Sequence, residues 1–173
     1  MSKVYLLLGG NLGDVENTFE RALQETNNRC GKVVNFSSIY ETEPWGFFSD
    51  SKFLNQVIVV ETEMDPNEVL IHILQIEKDL GRVRYSKQYT SRVIDIDILF
   101  YDQLIIDEPQ LEIPHPKFQE RNFAIIPMME IDQEFIHPIS KKNISELRKE
   151  CDDKLQVSFY LHKSLLPELH EIS

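Results

Sequence analysis

The hydrophobic positions of the chain fall into two repeating patterns, one typical of strands and one typical of helices. Strands are predicted where β-branched, aliphatic and aromatic residues dominate short runs, over residues 3–8, 33–42, 53–62 and 93–101. Residues 102–106 are predicted to pair back on the fourth of these runs as a short hairpin. The runs are six to ten residues long, which is a usual length for the strands of a compact sheet.

Two helices are predicted between these strands. Residues 14–28 carry apolar side chains at helical spacing, with Asp14 placed to cap the first turn and Gly31 ending the unit. The second helix has a complete start signal, with Asp65 as N-cap, Pro66 at the first helical position and Glu68 completing a capping box. Its apolar stripe and its C-terminal stop are formed by Val69, Ile73, Ile76, Leu80 and Gly81.

The remaining segments are shorter. They comprise turns at 9–13 and 114–118, a helix within 120–130 that ends at Pro127, a helix after residue 143 and a weak strand near 155–160. The order β-α-β-β-α-β predicts an α+β fold, a ferredoxin-like sandwich whose mostly antiparallel sheet has helices packed on one face. We expect a single catalytic domain over residues 1–173, with 160–173 as a C-terminal extension.

Composition narrows the class of protein. With 18 basic and 29 acidic residues the formal charge is −11, which disfavours a nucleic-acid partner or an anionic membrane surface. The apolar start of the chain breaks at Gly9, too early for a membrane span. Two cysteines far apart in sequence, Cys30 and Cys151, indicate neither a disulfide framework nor a zinc site, and we expect a reducing, cytoplasmic setting. We expect the protein to be a monomer.

The pattern with the clearest chemistry is VIDIDIL at 93–99. On a strand Ile94, Ile96 and Ile98 share one face and Asp95 and Asp97 the other, the two carboxylates about 6.6 Å apart. Such a pair can hold Mg²⁺ while phosphates complete the coordination shell. Two aspartates on the solvent side of a one-sided strand are the simpler alternative, although aspartate is depleted in strands.

A basic island precedes this pair, and it contains no acidic residue. Arg82, Arg84 and Arg92 lie within residues 81–94, and guanidinium groups match phosphate oxygens well. Arginines beside a magnesium site are what phosphoryl-type transfer needs. A solvated basic loop is the alternative. No P-loop or dinucleotide-binding glycine pattern is present at 9–13.

Five further residues are candidates. His115 lies between two prolines on a stiff turn, followed by Arg121, and the pair could contact a nucleotide phosphate or simply form a structural turn. Asn55 lies in an apolar strand, where its amide needs partners. Glu77 lies on the second helix, where a solvated helix charge is the default interpretation. Phe123 has no local functional signature, and core packing is its default.

Taken together, these segments are similar to a known family. The chain resembles the 6-hydroxymethyl-7,8-dihydropterin pyrophosphokinase family over about residues 3–160. The matching blocks are LGGNLG at 8–13, SSIYET at 37–42, FLN at 53–55, GRVR at 81–84, RVIDIDIL at 92–99, IPHP at 113–116 and RNF at 121–123. Each block alone is weak, whereas their order and spacing are specific.

The resemblance implies a fold, a reaction and a set of site residues. It implies a ferredoxin-like sandwich that moves the β,γ-pyrophosphoryl group of ATP to the hydroxymethyl group of the pterin and releases AMP, with two Mg²⁺ ions. Catalytic positions would be Arg82, Arg92, Asp95 and Asp97, the two aspartates binding the metals. Pterin contacts would be Thr42, Pro44, Trp45, Phe53, Asn55 and Phe123, and ATP contacts Glu77, Arg82, Arg84, Arg92, His115 and Arg121.

The chain departs from the family pattern at a few positions. Tyr89 and Ser91 replace the usual tryptophan and proline ahead of the aspartates, and Glu43 and Gln119 replace other common residues.

On chemistry alone, an ordinary kinase, a two-metal phosphodiesterase or a non-enzymatic nucleotide sensor could use the same aspartates and arginines. The partners expected from the resemblance are small molecules, ATP and hydroxymethyldihydropterin.

Overall fold

The computed structural model describes residues 1–43, 52–81 and 93–169. In these ranges the elements follow in the order β1 (Ser2–Gly10), α1 (Val15–Arg29), β2 (Lys32–Phe36), β3 (Ile39–Thr42), β4 (Phe53–Thr62), α2 (Pro66–Asp79), β5 (Asp95–Tyr101), β6 (Ile106–Glu108), β7 (Leu111–Ile113), α3 (Asn122–Asp132), α4 (Ile144–Glu150) and β8 (Val157–Leu161). Short 3₁₀ turns at Phe118–Glu120 and Lys163–Leu165 complete them.

The main sheet has the strand order β5-β1-β4-β3-β8, with β2 also paired to β4. Every pairing in it is antiparallel. This confirms the predicted α+β, ferredoxin-like architecture, in which β1 and β4 are central and β5 is an edge strand. The predicted strand 53–62 matches β4 residue for residue.

Helices cover both faces of the sheet, whereas the sequence predicted them on one face. Even-numbered residues of β1, such as Leu6, pack with Phe19 of α1 and Ile73 of α2. Odd-numbered residues, such as Leu7, pack with Ile125 of α3 and with α4. The prediction of one face was wrong because β1 is buried along most of its length, and a strand buried on both sides needs a layer on each.

The predicted strand 33–42 is two strands. Ser37 interrupts it, because its hydroxyl accepts the Val57 N–H at 3.0 Å and its own N–H donates to the Val57 carbonyl at 2.8 Å. The side chain of Ser37 thus takes a ladder position that a backbone carbonyl would otherwise fill. Both strands still pair with β4, so the sheet remains continuous.

Two other boundaries were predicted wrongly. Residues 102–106 do not pair back on β5, and the observed hairpin is β6 with β7, one segment later. Helix α3 continues through Pro127 to Asp132. Proline disfavours a helix interior, but the turns around it bury Ile125 and Met128 completely, and this packing holds the helix.

The helix starts agree with the predictions. Asp14 accepts the Asn17 N–H at 3.2 Å at the head of α1. At the start of α2, Asp65 and Glu68 form a reciprocal capping box. The Asp65 carboxylate accepts the Glu68 N–H at 2.9 Å, and the Glu68 carboxylate accepts the Asp65 N–H at 3.0 Å. The predicted stripe of α2 is buried throughout, and Gly81 follows its end with φ +101°. The late helix and the weak C-terminal strand were also predicted correctly, as α4 and β8.

Candidate active site

The two aspartates lie on the face of β5 that the alternation predicted. Ile94, Ile96 and Ile98 are buried against the α1 and α2 layer, while Asp95 and Asp97 are half-buried on the opposite face. On β1, Asp95 pairs with Gly9 and Asp97 pairs with Leu7. Both carboxylates therefore lie at one end of the sheet, on the side that carries α3.

Gly9 joins this pair to the candidate pterin strand. It pairs with Asp95 on one side and with Asn55 of β4 on the other, and Asn55 in turn pairs with Tyr40. Residues paired across an antiparallel sheet point to the same face. A Cβ at position 9 would approach Asn55 Nδ2 to 2.9 Å, so glycine leaves the space between carboxylate and amide open.

The predicted turn at 9–13 therefore begins later than expected, since Gly9 and Gly10 belong to β1. Asn55 is held in place by its Nδ2 group, which donates to the Leu8 carbonyl at 3.2 Å. This contact uses one of its two amide hydrogens.

Thr42 and Phe53 lie one row further along the same face. They pair with each other at the ends of β3 and β4. Thr42 is only 2% exposed, and its Oγ1 atom has no hydrogen-bond partner among the residues that the structure describes. A buried hydroxyl without a partner is rare in proteins, and a polar ligand edge would satisfy it.

His115 is attached to the strand of the aspartates by its backbone, whose N–H donates to the Leu99 carbonyl at 3.0 Å. Burial, with a smaller contribution from the nearby charges of Arg121 and Lys117, lowers the pKa of His115 to about 4, although Asp95 acts in the opposite direction. The ring is therefore neutral at pH 7. Its Nδ1 atom accepts the Lys117 N–H at 3.2 Å, so the neutral ring carries its proton on Nε2 as a hydrogen-bond donor.

Arg121 and Phe123 flank the first residue of α3. The Arg121 guanidinium lies over the Phe123 ring, 5.6 Å from its centroid. Both side chains are half-buried. The electrostatic effects of Arg121 and Asp95 on His115 indicate that cation, imidazole and carboxylate share one region.

Glu77 reaches the aspartate strand from the other layer. It is 2% exposed, and its Oε2 atom accepts the backbone N–H of Ile96 at 2.8 Å. Since β5 is an edge strand, this amide faces away from β1, and the carboxylate covers it. The structure thus places Glu77 as a backbone anchor between the two aspartates, a role that the sequence did not suggest.

Five predicted site residues lie outside the residues that the structure describes: Pro44, Trp45, Arg82, Arg84 and Arg92. Their assignments stay predictions. The sequence positions adjoin the described site, since residue 43 follows β3 and residue 93 precedes β5.

Sequence reasoning missed a carboxylate that ties α3 to β3. Glu130 accepts the N–H and the hydroxyl of Ser38, both at 2.9 Å, and the Tyr40 hydroxyl at 2.7 Å. Burial and this carboxylate together raise the Tyr40 pKa. The partners are about ninety residues apart, so no local pattern could have shown the contact.

The donor set fits a hard divalent cation. Within the described ranges no group of three or more His, Cys, Asp or Glu side chains is arranged to hold a metal, so a cation bound by Asp95 and Asp97 would need further oxygen ligands. Magnesium is commonly held by one or two carboxylates together with substrate phosphates. The half-buried carboxylates on a rigid strand suit that mode of binding.

Paired carboxylates, a buried amide and the Arg121 guanidinium at one end of an antiparallel ferredoxin-like sheet suit an α+β enzyme that acts on phosphate groups. A family model described as 7,8-dihydro-6-hydroxymethylpterin-pyrophosphokinase (HPPK) matches residues 5–133. The chain belongs to this family, and it is therefore an ATP-dependent diphosphotransferase.

Similar proteins carry the same name. The 2-amino-4-hydroxy-6-hydroxymethyldihydropteridine pyrophosphokinase of Porphyromonas gingivalis is 42% identical over 142 residues, covering 80% of this chain and 95% of that protein. The enzyme of that name from Aquifex aeolicus is 37% identical over 150 residues, covering 87% of this chain and 92% of that protein.

Solved structures share the fold. Wild-type HPPK-DHPS of Plasmodium falciparum superposes with a TM-score of 0.71 at 19% identity, over 86% of this chain. This chain covers 44% of that longer one. Among the described helices of this protein, none combines the length and the hydrophobicity needed to cross a membrane.

Proposed function

We propose that this protein transfers the β,γ-pyrophosphoryl group of ATP to the hydroxymethyl group of 6-hydroxymethyl-7,8-dihydropterin in folate biosynthesis. The pterin hydroxyl oxygen would form a bond to the β-phosphorus while the bond from that phosphorus to the α,β-bridging oxygen breaks. AMP leaves, and the hydroxyl proton passes to solvent. The observation that carries the proposal is the row of Asp95, Gly9 and Asn55, which places carboxylate and amide side by side.

Asp95 and Asp97 would hold two Mg²⁺ ions. Bound magnesium supplies charge neutralisation on the phosphate oxygens and lowers the pKa of a coordinated hydroxyl. The aspartates lie on a strand whose backbone is paired to β1 and anchored by Glu77. This rigidity supports the assignment, because metal-assisted displacement depends on donors that do not move with the substrate.

The pterin would bind at the adjoining end of β3 and β4. Asn55 and the buried Thr42 hydroxyl, which has no partner among the described residues, would offer hydrogen bonds to the amide-like edge of the ring. Phe53 and Phe123 come from β4 and α3 and would stack on its faces. Pro44 and Trp45 follow β3 in sequence and would border the ring.

ATP would lie over the cationic side of the site. Arg121 supplies a charged group, and His115 a neutral Nε2–H donor to a phosphate oxygen. Arg82, Arg84 and Arg92 would close over the phosphates and keep water from the transferred group. Glu77 is included from the family resemblance, and its contact with Ile96 supports an indirect route through the strand.

The product nucleotide tests the reaction. The protein is incubated with ATP, Mg²⁺ and hydroxymethyldihydropterin, and nucleotides are separated by ion-exchange chromatography. AMP in equal amount to the pterin diphosphate is the expected result. ADP would indicate an ordinary kinase, and the absence of both nucleotides would exclude this substrate pair. A reaction without pterin measures plain ATP hydrolysis as the control.

We also propose that the whole chain forms one catalytic domain that acts as a monomer in the cytoplasm. Strand β8 (Val157–Leu161) pairs with β3 and so belongs to the same sheet as the described site residues. Both cysteines are free, as a reducing compartment would keep them. Sedimentation velocity at micromolar concentration should give a single species near the chain mass of 20.3 kDa, and a dimer would refute the monomer.

A further inference from the structure

Helix α3 begins without a cap of its own. Arg121 occupies the N-cap position and makes no side-chain hydrogen bond there. The first N–H groups of a helix need acceptors, and a negative charge near them is stabilising. Asn122, the first helical residue, is only 4% exposed, so water is not a ready substitute.

The missing acceptor comes from thirty-one residues further along the chain. Asp153 Oδ2 accepts the Asn122 N–H at 3.0 Å, and the Asp153 carbonyl accepts the Asn122 side-chain amide at 3.3 Å. Its other carboxylate oxygen accepts the Leu155 N–H at 3.0 Å, which fixes the orientation of the group. One carboxylate therefore ties the start of α3 to the segment that leads into β8.

This segment also supports the strand that carries Thr42. Val157 of β8 pairs with Thr42, four residues after Asp153. At the far end of α3, Glu130 binds Ser38 and Tyr40 of the β3 region. Helix α3 is thus held to the β3 side of the sheet at both ends, and the family match at residues 5–133 contains only one of the two anchors.

We propose that Asp153 is a positioning residue for the pterin site, where it sets the ring of Phe123. This inference rests on the proposed function. Phe123 directly follows the bonded Asn122, and a phenyl ring with two torsions must follow any shift of its backbone. The neighbouring Arg121 has a long side chain that can compensate for such a shift. Loss of the anchor should therefore weaken pterin binding more than ATP binding.

Steady-state kinetics of D153A and D153N, with the wild type and D152A alongside, test the proposal. D153A should raise the KM for hydroxymethyldihydropterin about tenfold, while kcat and the KM for ATP stay within about threefold, by analogy with outer-shell residues. D153N should fall between D153A and wild type, because its amide oxygen can still accept the Asn122 N–H. Asp152 is exposed, and D152A should behave as wild type.

The pattern of constants separates positioning from stability. A variant that is merely less stable has fewer active molecules, so its kcat falls while both KM values stay the same. An unchanged pterin KM in D153A, whatever its kcat, would overturn the proposal. If D153A does not fold, the same measurement is made on D153N, and an unchanged pterin KM in D153N would also overturn the proposal.

A fluorescence titration of the pterin on the same proteins provides a readout that needs no turnover. The dissociation constant of D153A should rise about as much as its KM, since tenfold in either corresponds to the same loss of binding. Failure of the wild type to form AMP would refute the proposed reaction. If the wild type is active and both Asp153 variants bind the pterin as tightly as the wild type does, the inference about Asp153 is refuted and the proposed reaction is not.

Discussion

Asp95 and Asn55 lie on either side of Gly9, in one row across three strands of the sheet. Their chemistry differs, since a carboxylate suits a cation and an amide suits the polar edge of a ring. Because Gly9 has no side chain, both groups could approach one ligand. The aspartates could be selected from the sequence because their alternation with isoleucines is a local signal. The role of Gly9 could not, because its partners are more than forty residues away.

Replacing Asp97 with alanine should abolish turnover while leaving pterin binding nearly intact. The carboxylate is a proposed metal donor, whereas the described residues proposed to contact the pterin lie on β3, β4 and α3. We expect kcat to fall at least about a hundredfold, as expected when charge stabilisation of the transition state is removed. Product assays and pterin titration measure the two effects. D107A, at an exposed position of the β6 hairpin, is the matched control. Near-normal turnover in D97A would refute the metal assignment.

Replacing Gly9 with alanine should weaken pterin binding through Asn55. The new Cβ would lie 2.9 Å from Asn55 Nδ2, whose side chain is buried and bonded to Leu8. A displaced amide should raise the pterin KM about tenfold, which corresponds to the loss of one hydrogen bond. N55A and the double variant complete a thermodynamic cycle. If the effects of G9A and N55A add fully, the two residues act independently and this explanation is wrong.

Helix α2 and strand β5 are predicted from the sequence as separate elements, and the structure shows how they are joined. The hydrophobic stripe of α2 faces the isoleucines of β5, as the periodicity indicates. The hydrogen bond from Ile96 to Glu77 adds a polar contact inside this apolar layer. An edge strand lacks one row of backbone partners, and this carboxylate supplies an acceptor between the two aspartates. Periodicity locates a helix face but does not identify its polar contacts.

Replacing Glu77 with alanine should destabilise the protein, because the carboxylate accepts the backbone N–H of Ile96. The Ile96 N–H would stay buried without an acceptor, which costs about 1–3 kcal/mol of unfolding free energy. Glu77→Gln keeps an acceptor oxygen and should lose less. Urea unfolding measures the stability, and amide hydrogen exchange at Ile96 should accelerate in the alanine variant. Equal exchange at Ile96 in wild type and E77A would show that the carboxylate does not hold the strand.

The boundaries of several elements depend on contacts that no local pattern contains. Strands β2 and β3 separate where Ser37 binds Val57, and α3 continues past Pro127 because both neighbouring turns are buried. The sequence favours a break at proline, because the local cost is visible there and the compensating burial is not. By contrast, Asp65 and Glu68 cap α2 as predicted, since both partners lie within one helical turn.

The layer of α3 and α4 also contains a histidine that links the stability of the fold to pH. His137 is 4% exposed and packs edge-on against Phe100, with ring centroids 5.6 Å apart. Its Nδ1 atom accepts the backbone N–H groups of Ile139 and Ser140, at 3.2 and 3.3 Å. Burial lowers its pKa in the folded protein. Protonation is therefore easier after unfolding, which makes the folded state sensitive to acid.

The free energy of unfolding should decrease as the pH falls below the ordinary histidine pKa of about 6.5. In that range the unfolded chain binds a proton at His137 and the folded chain does not. His115 acts in the same direction, with a folded pKa of about 4. Urea denaturation of wild type and His137→Phe between pH 7.5 and 5 measures the slopes. The variant should be less stable at pH 7.5 but show a shallower slope, and an equal slope would contradict the assignment.

The net charge of −11 is a property of the whole chain, whereas the candidate site combines acidic and basic side chains. Paired aspartates lie near Arg121 and follow an arginine-rich stretch of sequence. Magnesium bound to the aspartates would make both parts attractive to phosphate. The excess of acidic residues over the chain as a whole disfavours binding to polyanions but does not oppose a small anionic substrate.

The amino-acid sequence determined the alternating strands, the capped helices and the aspartate pair, because each depends on residues within a few positions of one another. The tertiary structure decided which faces are covered and which groups meet, including Gly9 with Asn55, Glu77 with Ile96 and Asp153 with Asn122. These contacts join elements far apart in the chain. Their hydrogen-bonding groups find partners only after the hydrophobic layers have brought the elements together.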